Sequence, residues 1–202
     1  LAYEDPLGGW NEPGEPIKLL ASARTGPNAL RNVIAHEYGH CATFVLGDKA
    51  NSMPWWVLEG VAELAATKFT GDRADRRVLA WAKRNNLAPW DQISDFHNTP
   101  REYMGHVYTQ GLHMMAFISE RYKREGRNAW LTAMAKGATI EEASREVFGI
   151  SFEELNAQWR AHIAERLAAQ EAEAAEKAAS SPDQPGADNA PKQEPEPAGK
   201  GG

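Results

Sequence analysis

Within His36-Glu37-Tyr38-Gly39-His40, two histidines stand four residues apart with a glutamate beside the first. On a helix, positions i and i+4 lie one turn apart on the same face. Both imidazoles can then reach one metal ion at ~2.0–2.1 Å. Glu37 is not needed as a ligand; in this arrangement its carboxylate can accept a proton from water at the metal. A purely structural metal site needs ligands but no such base.

A catalytic zinc needs a third ligand and an open fourth position. Glu59 follows His40 after 18 intervening residues, in Trp55-Trp56-Val57-Leu58-Glu59-Gly60-Val61-Ala62-Glu63. A turn over 47–53 lets two helices pack antiparallel, so that Glu59 can face His36 and His40. Glu63 lies one turn further on the same face. It can bond the far nitrogen of a ligand histidine and fix its tautomer. Both glutamates stand among apolar residues, a costly place for a carboxylate without a partner. One Zn2+ per chain is therefore expected on His36, His40 and Glu59. Cys41 is the only cysteine, which excludes an internal disulfide and a cysteine-based structural zinc site.

The elements that must hold these residues read as helices. Leu30, Val33, Ile34, Cys41 and Val45 recur at helical spacing and form one apolar face of the first helix. That placement makes Cys41 a buried, inert thiol. Gly47 closes the helix as a left-handed cap. Ser52 caps a second helix with Pro54 in its first turn, and Trp55 and Trp56 are expected to anchor it against the first. A third helix covers about 73–86, a loop about 87–105, and further helices about 106–124 and 129–136. Thr139 with Glu142, and Ser151 with Glu154, are capping boxes that open two more. Before residue 28 the chain is rich in Pro and Gly, and 17–22 is the best strand candidate. The fold class is mainly α with a small N-terminal β element (α+β).

The 202 residues suffice for one core of fair size. From Ala168 to Gly202 there are seven acidic and three basic residues and no Val, Ile, Leu, Met or aromatic residue. Such a tail cannot offset its ordering entropy, so disorder is expected from about 180. The organisation is thus 1–27 as a β/loop segment, 28–167 as a helical catalytic domain, and 168–202 as an acidic tail. The remainder is nearly neutral and has no basic stripe, so no nucleic-acid partner is expected. No apolar run approaches the ~20 residues of a membrane span. Leu1 rather than Met opens the chain: either a leader was cut there, as in export from a bacterium, or there was none.

With these motifs the sequence resembles the gluzincin zinc peptidases. His36-Glu37-x-x-His40 is followed after 18 residues by Glu59 in a Trp-x-x-Glu-Gly-x-Ala-Glu context. The nearest likeness is to small bacterial peptidase MA-like proteins, and a more distant one is to the zinc aminopeptidases. It runs on through Tyr108-Thr109-Gln110-Gly111, through Arg121-Tyr122 and from Gly149 to Trp159, covering about 29–165. The resemblance implies a zincin-like catalytic domain. It also implies that Tyr108, before a two-residue spacer and Gly, donates a hydrogen bond to the oxyanion, with Tyr103 as the fallback. The Gly-x-Met-Glu-Asn segment by which aminopeptidases hold a substrate amino terminus is missing, so exopeptidase specificity is not implied. The family places a sheet before its zinc helix; residues 17–22 would be its edge strand, with the rest upstream of Leu1.

The expected function is zinc-dependent hydrolysis of peptide bonds in peptide or protein substrates, with Glu37 as general base. The alternatives are a non-catalytic zinc-binding or scaffolding domain and a zinc hydrolase of another amide or ester. His97 and His106 flank the loop before Tyr108 and read as surface or capping histidines within reach of substrate. His113 and His162 read as structural.

Overall fold

A computed structural model describes residues 9–10, 15–19, 27–70 and 73–180. Helices carry most of them: α1 Pro27–Phe44, α2 Trp55–Thr70, α3 Arg73–Lys83, α4 Met104–Ala135, α5 Ile140–Phe148 and α6 Phe152–Ser180. Two short strands, β1 Gly9–Trp10 and β2 Lys18–Leu19, pair antiparallel with Gly9 opposite Leu19 and Trp10 opposite Lys18. The fold is mainly helical. Of the expected strand 17–22, residues 18 and 19 are strand, while 20–22 lie outside the described residues. The chain divides into a compact unit Leu1–Leu167 and a second, Ala168–Gly202. The second is helical up to Ser180, and the expectation for the tail beyond it falls outside the described residues.

Local signals account for several helix ends. Thr139 accepts from Glu142 N–H at 3.2 Å while Glu142 Oε2 accepts from Thr139 N–H at 2.8 Å, a reciprocal cap for α5. Ser151 and Glu154 do the same for α6 at 3.1 and 2.7 Å. Gly149 ends α5 at φ 73°, a left-handed position that favours glycine. Within α4, Lys123 has φ 63° and ψ 176°. This breaks the helical ladder near the point where the sequence pattern changes from one expected helix to the next.

The helix α2 packs against both α1 and α4. Small residues let the backbones approach: a Cβ on Gly39 would lie 2.7 Å from Ala62 Cα, and one on Gly60 would lie 2.6 Å from the Gly111 carbonyl carbon. The core is aromatic. Trp56, Trp130 and Trp159 are fully buried. The Trp56 ring lies 4.3 Å from Trp90, 6.0 Å from Phe152 and 6.4 Å from Trp130. Three of the buried indoles have polar partners: Trp90 donates to Asn156 Oδ1 at 2.8 Å, Trp130 to Ser144 Oγ at 3.1 Å and Trp159 to His113 Nδ1 at 2.9 Å, while the Trp56 indole N–H is buried without one.

Four local expectations are corrected. Trp56 anchors α2 against α4, α6 and the 84–103 connection rather than against α1, because the other large aromatics lie there. Pro54, not Ser52, stands at the cap of α2, just before Trp55, its carbonyl accepting Leu58 N–H at 3.2 Å. Gly47 is not left-handed, since the positive-φ glycines among the described residues are Gly137 and Gly149. Glycine is required there by crowding: a Cβ would meet Ala135 O at 2.4 Å. The apolar face expected on α1 is not its core face, for Val45 is 84% and Ile34 42% exposed and Cys41 is half-buried. Glu37, Gly39 and Thr43 are the buried positions, and Gly39 packs directly on Ala62 of α2.

Candidate metal centre

The helix α1 presents His36 and His40 one turn apart, with their Nε2 atoms 3.2 Å from each other. Close packing of Gly39 on Ala62 brings α2 near enough for Glu59 to join them. Glu59 Oε2 lies 3.2 Å from His36 Nε2 and 3.5 Å from His40 Nε2. Donor atoms around a tetrahedral zinc at ~2.0–2.1 Å stand about 3.3 Å apart, so this triangle fits such an ion. Glu59 Oε2 is also buried and makes no well-directed hydrogen bond. A buried carboxylate oxygen whose neighbours are two imidazole nitrogens is costly unless those rings are protonated or a cation takes its lone pair. Among the described residues, this is the one group of three or more His, Cys, Asp or Glu side chains placed to hold a metal.

The neighbouring carboxylates complete the arrangement. Glu63 Oε1 lies 3.1 Å from His36 Nδ1. A proton on Nδ1 is thereby shared with Glu63, which leaves the Nε2 lone pair for the centre. Burial opposes protonation of His36, but Glu59 and Glu63 outweigh it and hold the ring up at about 10 in the metal-free protein. Burial likewise raises the Glu59 carboxyl, yet the adjoining imidazoles bring it down to about 2. Glu37 is buried beside His36, and burial pushes its carboxyl up against the opposing pull of His36 and His40.

A family model described as the peptidase MA superfamily matches residues 25–165, which include all of these side chains. The chain belongs to the peptidase MA superfamily. No curated protein and no solved structure matches it. The matched stretch of this peptidase MA-superfamily chain is a metallopeptidase-like domain, in which α1, α2 and α4 meet at the histidine pair.

The ring of Tyr108, near the start of α4, lies 6.2 Å from that of His36 and 6.0 Å from that of Trp55. Burial, reinforced by the charges of Glu59, Glu63 and Glu37, raises its phenol above the ordinary tyrosine value. Tyr103 instead meets His106 at 5.3 Å. His106 is buried, stacks on Trp81 at 3.8 Å and bonds Asn86 O at 2.9 Å. His97 is exposed in a turn in which Asp95 Oδ1 accepts its backbone N–H. His113 lies between Trp159 and Asp75, and His162 rests near Phe117.

Two contributors escape a reading of single motifs. Gln110 is fully buried, and its amide makes two 3.0 Å bonds with the Ala88 backbone, which ties the 84–103 connection to α4. Trp55 donates its indole N–H to Glu59 Oε1 at 2.9 Å. Its position four residues before Glu59 was the available signal, since i and i+4 share a helix face.

Proposed function

We propose that this peptidase MA-superfamily chain is a zinc-dependent metallopeptidase with a zincin-like catalytic domain, hydrolysing peptide bonds in peptide or protein substrates. One observation carries the reading: two imidazole nitrogens and a buried carboxylate oxygen converge with separations of 3.2, 3.2 and 3.5 Å. His36, His40 and Glu59 would hold the ion. Zinc, when bound, supplies Lewis acidity, polarising a carbonyl and bringing the pKa of water toward ~7.

The chain's own groups do the rest. Glu37 takes the proton of the attacking water and passes it to the leaving amine. Its burial beside the histidines raises its affinity for that proton, which suits a group that must hold it between the two events. Glu63 orients His36. The Tyr108 phenol stays protonated and donates a hydrogen bond to the oxygen on which charge develops. This set needs no covalent intermediate.

The test is a mixed peptide library incubated with the zinc-loaded protein, with and without a chelator. Cleavage that stops with the chelator and returns with zinc is expected. Cleavage that persists in the chelator would overturn the metal dependence. A zinc-loaded protein that cleaves no peptide would favour a non-catalytic zinc-binding domain.

A further inference from the structure

The two oxygens of Glu59 have different partners. Oε2 is the atom 3.2 and 3.5 Å from the histidine Nε2 atoms. Oε1 accepts the indole N–H of Trp55 at 2.9 Å. That indole is held on several sides. It is only 7% exposed, its ring meets Phe96 edge-on at 4.9 Å and Tyr108 at 6.0 Å, and its backbone N–H donates to Ser94 O at 2.8 Å. The turn that carries Phe96 is itself fixed by Asp95, whose Oδ1 accepts the N–H groups of His97 and Asn98.

We propose that Trp55 is a positioning residue for the metal ligand: its N–H occupies Glu59 Oε1, so that Oε2 alone faces His36 and His40 as a single donor. The inference rests on the reading that these three residues hold a metal ion. A carboxylate binds a cation through one oxygen or both. The torsion that exchanges its oxygens is broad and two-fold, so the side chain alone does not choose. A rigid donor bonded to one oxygen makes the choice and keeps a coordination position open for water or substrate. The same ring also packs Phe96 and Tyr108, so a test must separate the N–H from the ring.

The test uses the full chain in two variants: Trp55→Phe, and β-(3-benzothienyl)alanine inserted at position 55. The second keeps the two-ring shape and replaces the N–H by sulfur. Zinc affinity is measured by competition with a chromophoric chelator, and the visible spectrum is recorded after loading with Co2+. Both variants are expected to bind zinc about 10–100-fold more weakly than the wild type. The cobalt bands should lose intensity as the second carboxylate oxygen joins the ion, while the metal-free benzothienyl variant melts like the wild type. Wild-type zinc affinity and an unchanged cobalt spectrum in the benzothienyl variant would overturn the role of the N–H, whatever Trp55→Phe does. A wild-type protein that binds no zinc would overturn the metal-centre reading and this inference with it.

Discussion

Gly60 on α2 and Gly111 on α4 face each other so closely that neither has room for a methyl group. A Cβ on Gly60 would lie 2.6 Å from the Gly111 carbonyl carbon, and one on Gly111 would lie 2.5 Å from Trp56 O. Glu59 precedes one glycine, and Tyr108 lies one turn before the other. The contact therefore sets the spacing between the Glu59 carboxylate and the Tyr108 phenol. Gly111→Ala must push backbone against backbone, which side-chain rotation cannot relieve. A loss of about 1–3 kcal/mol is expected, together with lower turnover. Thermal melting checks this, and an unchanged melting temperature would contradict it.

Tyr108→Phe removes one oxygen and leaves the ring against Trp55. If the hydroxyl acts on the oxyanion, kcat should fall by ~10²–10³ with little change in KM, and zinc content should be retained. Tyr103→Phe should be mild, because that ring packs on His106. Steady-state kinetics of the two variants decide between them. A crippling effect of Tyr103→Phe with none from Tyr108→Phe would exchange the assignments.

The shifted protonation of His36 and Glu59 gives the metal-free protein a pH dependence. His36 is raised from 6.5 to about 10, so its contribution is complete below pH 6.5 and disappears as pH rises through 10. Glu59 is lowered from 4.5 to about 2, so its contribution is complete above pH 4.5 and disappears as pH falls through 2. The pair therefore supports the metal-free fold most between pH 4.5 and 6.5. Zinc bound at the proposed site would work in the opposite sense on the alkaline side, because binding must displace a proton from His36. Melting temperatures in chelator should fall from pH 6.5 toward 10, while the increment given by zinc grows. A flat or rising metal-free profile over that window would contradict this.

Glu37→Gln separates holding the ion from using it. The amide cannot take a proton, and Glu37 is not among the three converging donors. Zinc should be retained while turnover falls by ~10²–10⁴, the usual contribution of a positioned base. Wild-type turnover in a zinc-loaded Glu37→Gln protein would remove it from the mechanism.

What could be read in advance divides along a physical line. The histidine pair is legible because i and i+4 proximity is a property of any helix. The capping boxes at Thr139 and Ser151 are legible for the same reason, since both partners lie within one turn. Glu59 was reachable because a short turn constrains how two helices meet. Contacts made across helices were not. Gly47 reads as a helix cap until Ala135 is seen against it, and the apolar spacing of Ile34 and Val45 reads as a core face until Gly39 is found packed on Ala62. Trp55 illustrates both cases: its spacing to Glu59 is local, but its burial comes from Phe96 and Tyr108, which lie 41 and 53 residues further along the chain.

His36, His40 and Glu59 are proposed to hold one zinc ion together. Elemental analysis after dialysis tests it most directly, on the wild type and on His40→Ala. About one zinc per chain is expected in the wild type and little in the variant, since two remaining donors do not make a closed site. Near-stoichiometric zinc in His40→Ala would contradict it.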